Sequence, residues 1–282
     1  MELVVFDLDG TLFNSKQTLS AYTLKTLELL AEKGIAYTVA TGRTLHAAAP
    51  FFQGHEFILP QIYKNGALIW DPAKSEYSHG NFLSKIEVDT VIDAFKAVQA
   101  EGTPITPFIM SVDALNHQKI YYGEIDNVYS EKTLDSMKDR PNSSVHPISE
   151  ILYTGITNIS STGIKEPTEA VIDILKSVDS LATFYGADMY NESHYWMDIH
   201  HVEATKGGAI EILKKDMGFK KVICFGDSDN DISMFQMADE RYAPENAHPD
   251  IINMATEVIG HHDQDGIAKF LRQRFNLTDN EA

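Results

Sequence analysis

The chain has 282 residues, 43% of them hydrophobic, and a formal net charge of −18. That length holds one large domain or two modest ones, and the apolar share supplies a packed core and excludes a disordered chain. The acidity repels nucleic-acid backbones and anionic membranes, yet exposed charges are screened beyond about 8 Å, so a local cationic site can still hold a small anion.

Taken in chain order, Val4-Val5-Phe6 is a short apolar run ending at Asp7, the pattern of a buried parallel strand. The N-terminal stretch lacks a basic segment and meets acid almost at once, so it does not read as a signal peptide. No apolar run reaches the ~18 residues of a membrane span. A cytoplasmic protein is expected. Ser20 can cap a helix carrying Leu24, Leu27, Leu30 and Ala31 at helical spacing, with Gly34 as its stop. Ile35–Ala40 reads as the next strand and runs into Thr41-Gly42-Arg43. A helix is expected near Leu45 and a third strand over 57–63. This βαβ alternation predicts an α/β, Rossmann-like doubly wound parallel sheet.

The character changes after about residue 80. A helix is expected over 86–100, then strands over 105–112 and 119–122 with Asp113-Ala114-Leu115-Asn116-His117 as a hairpin linker. Strands at 156–160 and 181–185 flank a helix over 167–178, and Trp196–Ile199 reads as a last strand. This middle part predicts a separate α+β domain with an antiparallel sheet. The first pattern then resumes: helix 206–217, strand 222–225, helices 231–238 and 266–275. The expected division is a core of 1–82 and 191–282 with an inserted cap of 83–190. Cys224 is the only cysteine, so no internal disulfide can form. Its place in Val222-Ile223-Cys224-Phe225 predicts a buried strand residue rather than a nucleophile.

In open parallel sheets, ligands bind beyond the carboxyl ends of the strands. Four polar constellations fall there: Asp7-Leu8-Asp9-Gly10-Thr11, Thr41-Gly42-Arg43, Lys206, and Gly226-Asp227-Ser228-Asp229-Asn230-Asp231. Each alone has an ordinary explanation, since Asp-Gly is a common turn, Thr a common helix cap and lysine a common surface residue. Together they put Asp7, Asp9, Asp227 and Asp231 at one edge. Such carboxylates repel unless one is protonated or a hard divalent cation neutralises them, and oxygen ligands favour Mg2+. Thr41 and the Gly42 amide region suit a phosphate oxygen. Lys206 opens a helix against the dipole preference, which suits a point charge for phosphate.

These motifs, Asp-x-Asp-Gly-Thr-Leu, Thr-Gly-Arg, a lysine opening a helix and Gly-Asp-x-x-Asn-Asp, resemble those of the haloacid dehalogenase-like hydrolases. The domain order resembles their Cof-type branch, subfamily IIB, with a cap inserted after the third core strand. Asn65-Gly66-Ala67 resembles that branch's entry to the cap, and Asn246-Ala247 its late Gly-Asn-Ala motif. Pro244-Glu245 stand where Met-Gly is usual, and Thr205 where serine usually precedes the lysine. The resemblance implies a phosphatase in which Asp7 attacks phosphorus and Asp9 serves as acid and base. It implies phosphate contacts from Leu8, Thr41, Gly42, Lys206 and Asn230, and a metal held by Asp7, the Asp9 carbonyl, Asp227 and Asp231. Arg43 and Asn65 are candidates for the substrate side. The implied substrate is a small phosphorylated metabolite, a sugar phosphate or a phosphorylated cofactor, selected by the cap.

Competing readings are a phosphotransferase or sugar-phosphate mutase, a receiver-type phosphoacceptor domain, and a binding module with a degenerate site. The Asp-x-Asp spacing and the interrupted core argue against the receiver, and intact acids and lysine against the last. Oligomeric state is not encoded in any of these motifs. His200-His201 and His261-His262 suggest zinc, but adjacent residues on an extended chain face opposite ways, so structural roles are expected. Tyr195 and Trp196 are expected in core packing, with substrate contact as the alternative.

Overall fold

A computed structural model describes residues 1–113, 117–125, 127–140, 142–188 and 191–279. It divides the chain into two compact units, 1–79 with 205–282, and 80–204. The expected borders were 82/83 and 190/191. The second border moves because the strand at its end pairs inside the other unit's sheet.

The first unit begins with β1 (Glu2–Phe6), α1 (Ala21–Glu32), β2 (Ala36–Val39) and a single-turn α2 (Leu45–Ala48). Ser20 caps α1, accepting the Thr23 amide at 2.9 Å. In place of a long strand over 57–63 there is β3 (Gln61–Tyr63), which joins β4 (Leu68–Asp71) and β5 (Glu76–Gly80) in a small separate sheet. A parallel bridge between Ala40 and Ile62 links it to the main sheet. Pro60 directly before Gln61 cannot donate a ladder hydrogen bond, which agrees with the late start of the strand.

The second unit runs α3 (Lys85–Ala100), β6 (Phe108–Val112), β7 (Gln118–Tyr122), α4 (Val128–Lys138), β8 (Ser143–Pro147), β9 (Ile156–Gly163), α5 (Lys165–Leu175), β10 (Leu181–Asp188) and β11 (Asn191–His201). Ser84 and Glu87 form a capping box on α3. The sheet order is β10-β11-β9-β6-β7-β8, and it is mixed rather than wholly antiparallel because β7 and β8 pair in parallel. Of the hairpin linker 113–117, residues 114–116 lie outside the described residues. The strands it joins do pair antiparallel. Apolar residues of α3 and α5 pack with Ile109, Ile159, Met197 and Ile199, whereas Leu134 and Met137 of α4 pack with Phe108, Met110 and Ile120. Strand alternation therefore gives the sheet two apolar clusters. Trp196 is 41% exposed, against the expectation of core packing.

The chain returns to the first unit with α6 (Lys206–Met217), β12 (Lys221–Phe225), α7 (Ile232–Met237), β13 (Glu240–Pro244), α8 (Pro249–Met254), β14 (Glu257–Ile259) and α9 (Gly266–Arg274). The main sheet has the order β14-β13-β12-β1-β2, and every pairing is parallel. Leu3, Val5, Val222 and Cys224 point to one face, against Ile210 and Leu213 of α6 and Phe235 of α7. On the other face Phe6, Phe225, Tyr242 and Phe270 form a chain of ring contacts. Cys224 is fully buried, and burial pushes its thiol up from the usual range. After β1 the chain goes first to β2 on one side and later to β12 on the other. The order of strands thus reverses between β1 and β12, the position where such sheets open a crevice.

Candidate active site

Asp7 follows β1 directly, its amide donating to the Phe225 carbonyl of β12 at 2.9 Å. The next five residues make a broken turn, in which the Leu12 amide reaches Asp7 O and the Phe13 amide reaches Leu8 O. Gly10 has φ +75, and a Cβ there would lie 2.5 Å from Asp227 Oδ2. Glycine lets this turn lie against the second acidic loop. The Thr11 hydroxyl closes the junction, donating to Asp227 Oδ1 at 2.7 Å.

Lys206, the first residue of α6, has no exposed surface and donates to Asp7 Oδ1 and Asp231 Oδ1, each at 2.6 Å. Burial opposes its charge, but Asp231 and Asp7 outweigh burial and hold the ammonium well above its ordinary range. Asp231 has no exposed surface either. Its second oxygen accepts the amides of Asp227 and Ser228, at 2.8 and 3.1 Å. Both of its oxygens are therefore spent on protein donors. Asp7 is raised well above the carboxylate range by burial first, with Asp231 and Asp227 adding to this and Lys206 opposing it. Asp227 is raised to about 6, again by burial, with Asp231 adding and Thr11, Lys206 and His262 opposing.

Thr41 is buried, and its hydroxyl oxygen accepts the Arg43 amide at 3.1 Å. Gly42 lies against Asn65, whose Oδ1 would be 3.1 Å from an added Cβ. Asn65 Oδ1 accepts Asn230 Nδ2 at 3.1 Å, while Asn230 Oδ1 accepts the Ser228 hydroxyl. Arg43 grips Asp9 with two bonds, Nε to Oδ2 at 2.6 Å and Nη2 to Oδ1 at 2.5 Å, and its guanidinium lies over Phe13 and Phe51. Leu8 is buried within the turn. All eleven residues singled out in the sequence thus lie in the first unit. Asp7, Lys206, Asp227 and Asp231 form one cluster, Asn65 joins Gly42 to Asn230, and Asp9 turns to Arg43. Thr11 and Gly66 received no role from the sequence. A Cβ on Gly66 would sit 2.1 Å from the Thr205 carbonyl, so the Asn65-Gly66 turn lies hard against the start of α6. The signal was there: both stand inside motifs that the sequence displays.

The donor set suits a hard cation. Oxygen atoms of Asp7, Asp227 and Asp231 lie within 4.8 Å of one another. Three carboxylates and one ammonium leave a deficit of two positive charges, which one divalent ion would fill. His261, His262 and Asp263 also bring donor atoms within 4.8 Å of one another. His261 precedes a 3-10 turn, so the two rings tilt together, 4.9 Å apart, instead of facing opposite ways. The Asp263 oxygens and one His262 nitrogen are already engaged by Ser15 and Phe13. His200 stacks on Phe184 and His201 approaches Glu87.

A doubly wound sheet with buried acids and a buried lysine at its switch point is the architecture of an enzyme that brings an anion to a cation. The chain belongs to the haloacid dehalogenase-like hydrolase family, which matches residues 4–271. It is 24% identical to the 5-amino-6-(5-phospho-D-ribitylamino)uracil phosphatase YitU of Bacillus subtilis, over 98% of each chain. It is 25% identical to the pyridoxal phosphate phosphatase YbhA of Escherichia coli, over 95% of this chain and 97% of that one. Its fold matches a phosphatase of the same superfamily from Bacteroides thetaiotaomicron with TM-score 0.77 and 16% identity, over 99% and 96% of the two chains. It matches the subclass IIB sugar phosphatase BT4131 with TM-score 0.73 and 22% identity, over 99% and 100%. The chain is an enzyme, a hydrolase of the phosphatase class. Among the described residues, no helix is long and apolar enough to cross a membrane.

Proposed function

We propose that the chain is a cytoplasmic, Mg2+-dependent phosphatase of small phosphorylated metabolites, working through an aspartyl-phosphate on Asp7. The observation that carries this reading is the cluster of Asp7, Asp227 and Asp231 at the ends of β1 and β12, with buried Lys206 paired to Asp7 and Asp231. Bound by Asp7, Asp227 and the Asp9 carbonyl, the magnesium ion would neutralise the charge of the transferring phosphoryl group. Asp231, with both oxygens taken, acts by fixing Lys206 and the 227–228 loop. Lys206, the Thr41 hydroxyl and the amides around Leu8 and Gly42 would hold phosphoryl oxygens, and Asn230 would orient this shell through Asn65.

In the first step an Asp7 oxygen bonds to phosphorus, the ester P–O bond breaks, and Asp9 gives its proton to the leaving oxygen. In the second, Asp9 takes a proton from water. The water oxygen bonds to phosphorus, the Asp7–phosphorus bond breaks, and phosphate leaves. Both Asp9 oxygens accept from Arg43, so proton donation needs Asp9 turned away from that partner. The substrate class, sugar phosphates or phosphorylated cofactors, is supported by the relatives' names. The inserted unit is assigned the choice among them.

Phosphate release from an aryl phosphate tests the reading. Activity is expected to vanish with chelator, return with Mg2+, and fall to background in Asp7→Asn. Full turnover in metal-free enzyme or in Asp7→Asn would refute it.

A further inference from the structure

Asn246 stands in the turn between β13 and α8 and does no chemistry in the scheme above. Its side chain nevertheless bridges two distant loops. Nδ2 donates to the Gly10 carbonyl at 2.8 Å, and Oδ1 accepts the His262 amide at 3.2 Å. The His262 Nδ1 lies 2.8 Å from the Phe13 carbonyl, which can only accept, so that nitrogen carries the proton. The 10–13 turn is therefore gripped at both ends by residues more than 230 positions away. The same β13–α8 turn holds the other acidic loop, since the His248 amide donates to the Asp227 carbonyl at 2.7 Å. Phe13 is fully buried and the His262 side chain is 10% exposed, so water competes little for these bonds.

The turn needs such a grip. Gly10 lies in the left-handed region and cannot be braced by a Cβ of its own, while Asp9 just before it has its side chain in an exposed ion pair. A glycine-bearing turn held only by backbone would leave the Asp9 carboxyl loosely placed relative to Asp7.

We propose that Asn246, through Gly10 and together with His262 at Phe13, is the positioning residue that sets Asp9 for proton transfer to the leaving group. This rests on the assignment of Asp7 as nucleophile and Asp9 as acid. Losing the grip then harms a reaction in proportion to how much the leaving oxygen needs a proton. A purely structural residue would harm all esters alike.

The experiment compares kcat/KM for phenyl phosphate, whose leaving group needs protonation, with 4-nitrophenyl phosphate, whose leaving group scarcely does. kcat/KM reports the steps up to phosphoenzyme formation. In Asn246→Ala we expect a loss of roughly 10–100-fold on phenyl phosphate, part of the ~10²–10⁴-fold that proton transfer typically contributes, and a few-fold loss on the nitrophenyl ester. KM for the nitrophenyl ester and the unfolding midpoint are expected to stay near those of the parent. Asn246→Asp, which keeps the acceptor and loses the donor, is expected to behave as Ala. His262→Gln, which retains a donor toward Phe13, is expected to retain more phenyl phosphate activity than His262→Ala. Should Asn246→Ala not fold, the other three variants decide. Equal losses on both esters, or no loss, in folded variants would overturn the positioning role. Turnover surviving in Asp7→Asn would instead overturn the underlying mechanism.

Discussion

Lys206 lies without exposed surface between Asp7 and Asp231, 2.6 Å from each. Buried charges cost several kcal/mol each in lost hydration, and their mutual attraction returns this only while every partner remains. Replacing Lys206 by methionine keeps the apolar stem but leaves two buried carboxylates facing each other. In chelator, Lys206→Met is expected to lose about 3 kcal/mol of stability by denaturant unfolding, near the low end of the ~3–5 kcal/mol for breaking a buried pair. Adding Asp231→Asn is expected to restore part of that loss, since the two side chains share one hydrogen bond. A single variant as stable as its parent would show that the lysine carries no structural charge balance. The same variant is expected to lose phosphatase activity, because the point charge for phosphate is gone.

At the scale of elements, β13, next to the edge of the main sheet, is fastened by Glu240 at its start. Its carboxylate accepts Lys221 of β12 at 2.5 Å, Tyr242 of its own strand at 2.7 Å, and Arg274 of α9 at 3.1 Å. Burial raises this carboxyl, but Lys221, Tyr242 and Arg274 outweigh it and pull it down to about 2. A depressed carboxyl contributes stability above its unfolded value near 4.5, and loses it as pH falls through about 2. Allowing for solvent screening at this partly open position, the contribution is about 1–3 kcal/mol at neutral pH. Glu240→Gln is therefore expected to be destabilised by that amount at pH 7. The gap to the parent should narrow below pH 4.5 and close near pH 2. A pH-independent difference in urea midpoints would mean that the network contributes shape and not charge.

Across the whole molecule, the assigned catalytic groups lie in the unit formed by 1–79 and 205–282, and none lies in 80–204. Groups that hold only a phosphoryl moiety meet what every phosphate ester shares, so they cannot rank substrates by the remainder of the molecule. The second unit, to which the proposed function assigns that choice, has a concave patch of about 290 Å3 lined by Tyr129, Lys132, Thr133, Thr162, Tyr195 and Trp196. Exchanging 80–204 for the inserted domain of another family member is expected to reorder kcat/KM across a panel of phosphorylated metabolites, with Asp7 still required. An unchanged order in a folded, active chimera would place selection in the core.

Much of this was legible in the residues themselves. Short apolar runs ending in Asp7, Thr41 and Asp227 mark strands whose ends meet at one edge, because parallel pairing aligns carboxyl ends whatever the spacing between them. Local patterns also displayed the cap at Ser20 and the buried place of Cys224. The strand expected over 57–63 shrank to three residues and left the main sheet, and β13 and β14 went unseen, because strands of three to five residues carry too little alternation to read. The chain order of motifs likewise shows which acids gather but not how each is used. Asp9 turning to Arg43, Asp231 spending both oxygens on Lys206 and two amides, and Asn246 reaching Gly10 are pairings between residues 3 to 236 positions apart. Sequence determines which donors and acceptors are present. Only packing decides which of them lie within hydrogen-bonding reach, because that choice depends on distances of a few tenths of an ångström set by every neighbour at once.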